Sequence, residues 1–162
     1  MIEILSLAHL DQLCSLAESC FPSTSYSPSD YQYYLSFHSC GESDLDASQT
    51  NHYYLCIGDT DKNELRGYLL VEVLKFIEGE CDIHIYEIGV ASSFRKQGIA
   101  FNLLTSLFEM FKNKKATVYL EVRSSNLPAI NLYKKCNFEQ IGIRKYYYEN
   151  LESAIEFKKE LE

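Results

Sequence analysis

The pattern of apolar residues predicts a mixed α/β (α+β) domain, and three observations carry that prediction. Strand-like runs at residues 53–58, 65–76 and 82–91 are separated by turn-forming stretches at 58–63 and 78–80, as in an antiparallel meander. Ala100, Leu103, Leu104, Leu107, Phe108 and Phe111 then fall at i, i+3, i+4, i+7, i+8 and i+11, one continuous helical stripe. Beyond that helix the patterns alternate strand, helix, strand, which places strands and helices in one layered unit.

The remaining elements follow in order. Residues 2–5 form a short strand. Leu10, Leu13, Cys14 and Ala17 have helical spacing within 9–21, and Pro22 stops that helix. Ser27, Pro28, Ser29 and Asp30 cap a second helix reaching about residue 39 and carrying Tyr31, Tyr34, Leu35 and His38. Residues 40–51 are polar and aperiodic, the composition of a loop. Residues 117–122 read as a strand and 126–136 as a helix. Asn126 sits at the N-cap of that helix, and Pro128 lies in the first turn, where a missing N–H is harmless. Residues 138–148 read as another strand. The segment 152–162 is ambiguous, because it is rich in helix formers. Yet Ile155, Phe157, Lys159 and Leu161 alternate with Glu156, Lys158 and Glu160, and we read it as a strand. No internal repeat is present.

With 162 residues, 46% hydrophobic and 23% charged, the chain has the size and composition of one folded domain over 1–162. Fifteen basic against 23 acidic residues give a formal charge of −8. That argues against a broad electrostatic nucleic-acid binder. The start lacks a basic export region, and the apolar runs are far shorter than the roughly 20 residues of a spanning helix, so a cytoplasmic protein with no membrane partner is expected. Cys14, Cys20, Cys40, Cys56, Cys81 and Cys136 are scattered with no CxxC pair, as free thiols in a reducing compartment would be. Thirteen tyrosines and no tryptophan form an unusual aromatic set.

Two stretches carry candidate chemistry. In the first, a strand ends near Ala91 and a loop bears Arg95, Lys96 and Gln97. Gly98 then opens the long helix with Ile99, Ala100 and Phe101. The first N–H groups of a helix lack internal partners and the dipole there favours an anion, so the stretch reads as a pyrophosphate cradle. It matches neither a P-loop nor a GxGxxG fingerprint, and an ordinary basic loop before a core helix has the same residues. In the second, strand alternation puts Val118, Leu120 and Val122 on one face and Tyr119, Glu121 and Arg123 on the other. Tyr133 lies about 10 Å along the following helix, so an antiparallel return brings it back about level with Glu121. Alone, Glu121 reads sooner as a strand carboxylate paired to a neighbouring Arg, and Tyr133 as a core tyrosine.

Together the stretches resemble the GNAT acetyltransferase superfamily. The resemblance runs from about residue 65 to 161 and rests on residues 90–101, on Leu120-Glu121-Val122-Arg123-Ser124-Ser125-Asn126, and on Asn131-Leu132-Tyr133-Lys134-Lys135-Cys136-Asn137-Phe138. Within it, Leu120-Glu121-Val122-Arg123, the Ala129-Ile130 and Leu132-Tyr133 pairs, and Ile143-Arg144-Lys145-Tyr146-Tyr147-Tyr148 look like the bacterial ribosomal-protein-alanine N-acetyltransferases. The resemblance implies a central, mostly antiparallel twisted sheet with one splayed parallel pair and about four flanking helices. It implies acetyl-CoA as cosubstrate, no metal, and a protein or peptide N-terminus, first of all a ribosomal protein, as acceptor. Glu121 would then be the general base and Tyr133 the general acid, also contacting the cofactor. Ile88, Gly89 and Val90 would pair with the pantetheine arm, and Arg95, Lys96, Gln97, Gly98, Ile99, Ala100 and Phe101 would hold the pyrophosphate. Asn126 would touch the cofactor near its thiol.

The chain departs from the pattern at Ala100 and Asn137, where the family has glycines, and at Ser23, where it has an aromatic residue. The loop after Tyr148 is shorter than the family's and lacks its Pro and Gly. Two other readings compete on the same cofactor chemistry, a small-molecule amine acetyltransferase and a non-catalytic acetyl-CoA-binding module. The second has no use for Glu121 and Tyr133. Cys81 and His84, three apart, could be a metal pair. Tyr146, Tyr147 and Tyr148, on an alternating strand, would either line the acceptor site or pack on the sheet.

Overall fold

The computed structural model describes residues 1–36, 52–76 and 79–161. Seven strands form one sheet: β1 (Ile2–Ile4), β2 (His52–Asp61), β3 (Glu64–Lys75), β4 (Cys81–Val90), β5 (Ala116–Arg123), β6 (Glu139–Arg144) and β7 (Ala154–Leu161). Their spatial order is β1-β2-β3-β4-β5-β7-β6. All neighbours are antiparallel except β4 and β5, which run parallel. The helices are α1 (Leu10–Cys20), α2 (Pro28–Ser36), α3 (Ile99–Met110) and α4 (Leu127–Lys135).

Period-2 alternation divides the sheet residues between two cores. Leu69, Val71 and Val73 of β3 meet Leu103, Leu104 and Leu107 of α3, in a core that also takes in Ile130 and Tyr133 of α4. Tyr68 and Leu70, one residue out of phase, meet Leu13, Leu16 and Ala17 of α1 and Tyr31 and Leu35 of α2. The α1/α2 pair and the α3/α4 pair therefore cover opposite faces.

Two irregularities open the sheet at its centre. The β3–β4 register slips where Leu70 faces Glu87 but Val71 faces Ile85, leaving Tyr86 as an extra residue in β4. Such a bulge bends its strand and increases its twist. The parallel ladder between β4 and β5 ends at Ile85 and Leu120, so residues 86–90 and 121–123 diverge. β4 stays paired with β3 to Val90, and β5 with β7 to Arg123. The result is the splayed parallel pair.

Two boundaries differ from expectation, those of β2 and β6, while the strand read after residue 152 is present. β2 extends to Asp61, because its hairpin with β3 turns at Lys62 and Asn63, both with positive φ. The segment after 152 is strand β7, paired on both sides. The strand expected over 138–148 ends at Arg144, whose partner Ala154 is the first residue of β7. The chain must turn there to reach β7: Tyr146 has φ 57° and Leu151 φ 65°, and Leu151 N–H donates to the Tyr148 carbonyl. Tyr146–Tyr148 therefore sit in a loop, not on an alternating strand. The helix expected to reach about 39 is described to Ser36, and the expected loop at 40–51 lies outside the described residues. Among the described residues, no helix is long and apolar enough to cross a membrane.

Candidate active site

The opening between β4 and β5 has a different set of groups on each face. On the α1/α2 face, His84 Nε2 lies 2.6 Å from Glu121 Oε2. Arg144 of β6 holds Glu156 through its Nε at 2.6 Å and approaches Glu121 Oε1 at 3.5 Å. Glu121 and Glu156 are direct cross-strand partners, a like-charge pair that Arg144 bridges. The Glu121 side chain is 13% exposed. Its hydrogen bond from His84 holds its carboxyl below the usual range, against burial, and the charges of His84 and Arg144 act in the same direction. These groups line a cavity of about 340 Å³, to which Glu72 and Asp82 add two more carboxylates.

A wall of tyrosines continues from this cavity. The Tyr86 hydroxyl donates to Glu72 Oε2 at 2.8 Å, and its ring stands 5.4 Å from that of His84. Tyr54 and Tyr34 follow, with ring centroids 6.0 Å and 4.6 Å apart in succession, and Tyr26 contacts Tyr34 at 5.3 Å.

On the opposite face of the sheet, Tyr133 belongs to the core beneath α3 and α4. It is 4% exposed, packed edge-on against Phe138 and tilted against Phe157. Burial pushes its phenol well above the ordinary value, and neighbouring Tyr148 and Cys136 add to the shift. The expectation that Glu121 and Tyr133 stand level is thereby refined. The two side chains lie on opposite faces of the sheet, because Glu121 is out of phase with Leu120 and Val122, which share the α3 core with Tyr133.

At the end of β4 the chain runs through Arg95, Lys96, Gln97 and Gly98, all exposed, into α3. Arg95 Nε donates to the Val90 carbonyl at 3.1 Å, which folds the loop back on the strand end. Lys96 has φ 62° and Gly98 φ 82°. At Gly98, the N-cap of α3, a Cβ would meet nothing within 4 Å. The backbone there is open to close approach by a ligand, beside the unpartnered N–H groups of a helix start. These residues fit a pyrophosphate. Behind the opening, Asn126 Oδ1 caps α4 by accepting from Ala129 N–H at 3.3 Å. Glu152 pins the turn before it, accepting from Ser125 N–H at 2.9 Å and from Arg123 at 3.3 Å.

The Acetyltransferase (GNAT) family signature matches residues 10–138. The chain belongs to that family. It is 44% identical over 73 residues to an N-alpha-acetyltransferase of Sulfolobus acidocaldarius, an alignment covering 44% of each chain. It therefore matches less than half the length of that relative. It is 37% identical over 103 residues to a putative ribosomal protein bS18-alanine N-acetyltransferase of Bacillus subtilis, covering 58% of this chain and 68% of the relative. Among solved structures, the Escherichia coli ribosomal-protein-S18-alanine N-acetyltransferase superposes with a TM-score of 0.73 at 21% identity, over 99% of this chain and 93% of the other. Arabidopsis thaliana NAA60, in complex with a bisubstrate analogue, superposes at 0.78 with 18% identity, over 99% and 97%. The GNAT fold and the bacterial N-acetyltransferase likeness expected from the motifs are both borne out.

Sequence reasoning missed His84 as a partner of Glu121. The alternative of a Cys81–His84 metal pair does not fit the geometry, since Cys81 faces the α3 core while His84 faces the cavity. The signal for His84 was parity along β4, usable only once β4 is known to run parallel beside β5, with His84 opposite Tyr119. Arg144 and Glu156 were missed for the same reason. Of the thiols, Cys56, Cys81 and Cys136 are buried and free, Cys14 and Cys20 half-buried and free, and Cys40 lies outside the described residues.

Proposed function

We propose that the protein is an acetyl-CoA-dependent N-acetyltransferase acting on protein N-terminal α-amines, with ribosomal-protein N-terminal alanine as first choice of acceptor, in the cytoplasm. The observation that carries this reading is the opening between β4 and β5, with a carboxylate–imidazole pair on one face and a buried phenol on the other.

Acetyl-CoA supplies the acetyl group as a thioester. Arg95, Lys96, Gln97 and the start of α3 from Gly98 to Phe101 would hold its pyrophosphate. The edge Ile88, Gly89 and Val90, released from β5, would hold the pantetheine arm. The amide of Asn126 would act near the thiol. An α-amine has a pKa of about 8, so much of it arrives protonated at neutral pH and must lose a proton before attack. Glu121 receives that proton through its pair with His84. The His84 ring nitrogen, 2.6 Å from the carboxylate, gives that proton its path, and Glu121 orients the ring. Backbone N–H groups at 88–90 donate to the thioester oxygen as charge builds there. As the N–C bond forms and the C–S bond breaks, Tyr133 delivers a proton to sulfur. Base and acid thus serve the gap from opposite faces and do not quench each other. The lining of Glu72, Asp82, Glu121 and Glu156 against one arginine favours a cationic acceptor, and this also supports a second reading, a polyamine or other small amine.

A competition assay tests the choice. Peptides with N-terminal alanine should exceed spermidine and free amino acids in kcat/KM, and equal or better activity on spermidine would overturn the peptide reading.

A further inference from the structure

Glu87 is a buried carboxylate that the chemistry above does not use. It lies at the β4 bulge, immediately before the edge residues Ile88, Gly89 and Val90. A single oxygen, Oε2, accepts two hydrogen bonds of 2.7 Å, from the hydroxyls of Tyr31 and Tyr68. Both tyrosines are fully buried. Burial raises the Glu87 carboxyl above its usual range and the two hydroxyls work against that rise.

The two donors lead to different parts of the site. Tyr31 belongs to α2, the helix that also carries Tyr34, and its ring meets Tyr26 at 5.9 Å. Tyr26 and Tyr34 continue through Tyr86 to His84, the acceptor side. Tyr68 belongs to β3 and is the register partner of Gly89. Its ring lies against the Gly89 backbone so closely that a Cβ there would stand 2.7 Å from a ring carbon. Tyr68 therefore supports the edge on which the cofactor arm would lie. One carboxylate oxygen joins the two.

We propose that Glu87 is a positioning residue: by accepting from Tyr31 and Tyr68 together, it locks the tyrosine wall on the acceptor side to the strand edge 88–90 where transfer takes place. The proposal rests on the placement of acceptor and cofactor given above. It assigns a function to part of the tyrosine excess, since two buried phenols are used as donors to one acid. What the arrangement needs is an acceptor atom at Oε2, so an amide serves in its place.

Steady-state kinetics on three variants, with calorimetric acetyl-CoA binding, test this. The acceptor is whichever amine the wild type acetylates fastest, so failure of the peptide reading appears in the wild type, before any variant is compared. Tyr31→Phe removes one oxygen and should raise acceptor KM about fivefold while acetyl-CoA Kd stays within about twofold. Glu87→Met should raise both, because it releases Tyr68 as well, and adding Tyr31→Phe to it should change acceptor KM no further. Glu87→Gln, whose amide oxygen accepts both hydroxyls, should remain within about twofold of wild type in all parameters. An acceptor KM unchanged in both Tyr31→Phe and Glu87→Met overturns the proposal. So does a Glu87→Gln variant as impaired as Glu87→Met. Where Glu87→Met does not fold, Tyr31→Phe alone decides.

Discussion

The two ends of the site are built on opposite principles. The proposed cofactor end, residues 95–101, is local: a left-handed glycine, an exposed basic loop and a helix start within seven consecutive residues. The proposed acceptor end is made of side chains from α2, β2, β3, β4, β5, β6 and β7, with His84, Glu121, Arg144 and Glu156 joined across three strand boundaries. A ligand defined by its phosphates can be held by amides that any sequence supplies. Moving a proton requires particular side chains at hydrogen-bonding distance, and a sheet places those by register.

The comparison predicts that damage at the acceptor end lowers turnover and damage at the cofactor end lowers affinity. The largest effect is expected at the pair. Glu121→Gln and His84→Ala should each reduce kcat by about 10³-fold with acetyl-CoA Kd nearly constant by calorimetry. Unimpaired turnover in both would remove the pair from the reaction. Tyr133→Phe, read in the same assay, should cost about 10²-fold in kcat, and a loss confined to KM would show that the phenol only packs.

At the other end, Gly98→Val should weaken acetyl-CoA binding about tenfold, since a β-branched residue resists φ 82° and fills the space above the backbone. Equal affinity in the variant would place the phosphates elsewhere. Arg144→Met tests the electrostatics of Glu121. Its positive charge helps to hold the Glu121 carboxyl low, so its removal should move the acid limb of the kcat/KM profile to higher pH. A limb that stays in place or moves to lower pH contradicts the assignment.

The smallest effect concerns Glu152, whose bonds to Ser125 and Arg123 lower its carboxyl from 4.5 to about 2. A depressed carboxylate contributes stability above its unfolded pKa, and that contribution is lost as pH falls toward the folded value. The denaturant midpoint of Glu152→Gln should thus lie below that of wild type by a constant amount above pH 4.5, with the gap closing toward pH 2. A gap independent of pH would mean that the carboxylate's charge is not what holds the turn.

Much of this was legible before any coordinates. The helical stripe of α3, the N-cap at Asn126 with Pro128 behind it, and the alternation along β5 are short-range patterns, and each element formed where its residues indicated. The loop at 145–153 was not legible, because Tyr146, Tyr147 and Tyr148 suit a strand by propensity. Their ladder partner runs out at Ala154, and pairing outweighs propensity.

The sequence by itself determined that this is a GNAT chain. It also marked the loop into α3 as a candidate phosphate turn, and it put Glu121 on β5 and Tyr133 on α4. Only the tertiary structure decided what those two residues face. Strand parity tells which residues share a face of one strand, but contacts between strands depend on neighbour order, direction and register, which long-range packing sets. A parallel β4–β5 pair that parts after Ile85 puts His84 against Glu121, and the turn back through β6 brings in Arg144. The same long-range packing gathers Tyr26, Tyr34, Tyr54 and Tyr86 into one wall and brings two further tyrosines, Tyr31 and Tyr68, to Glu87.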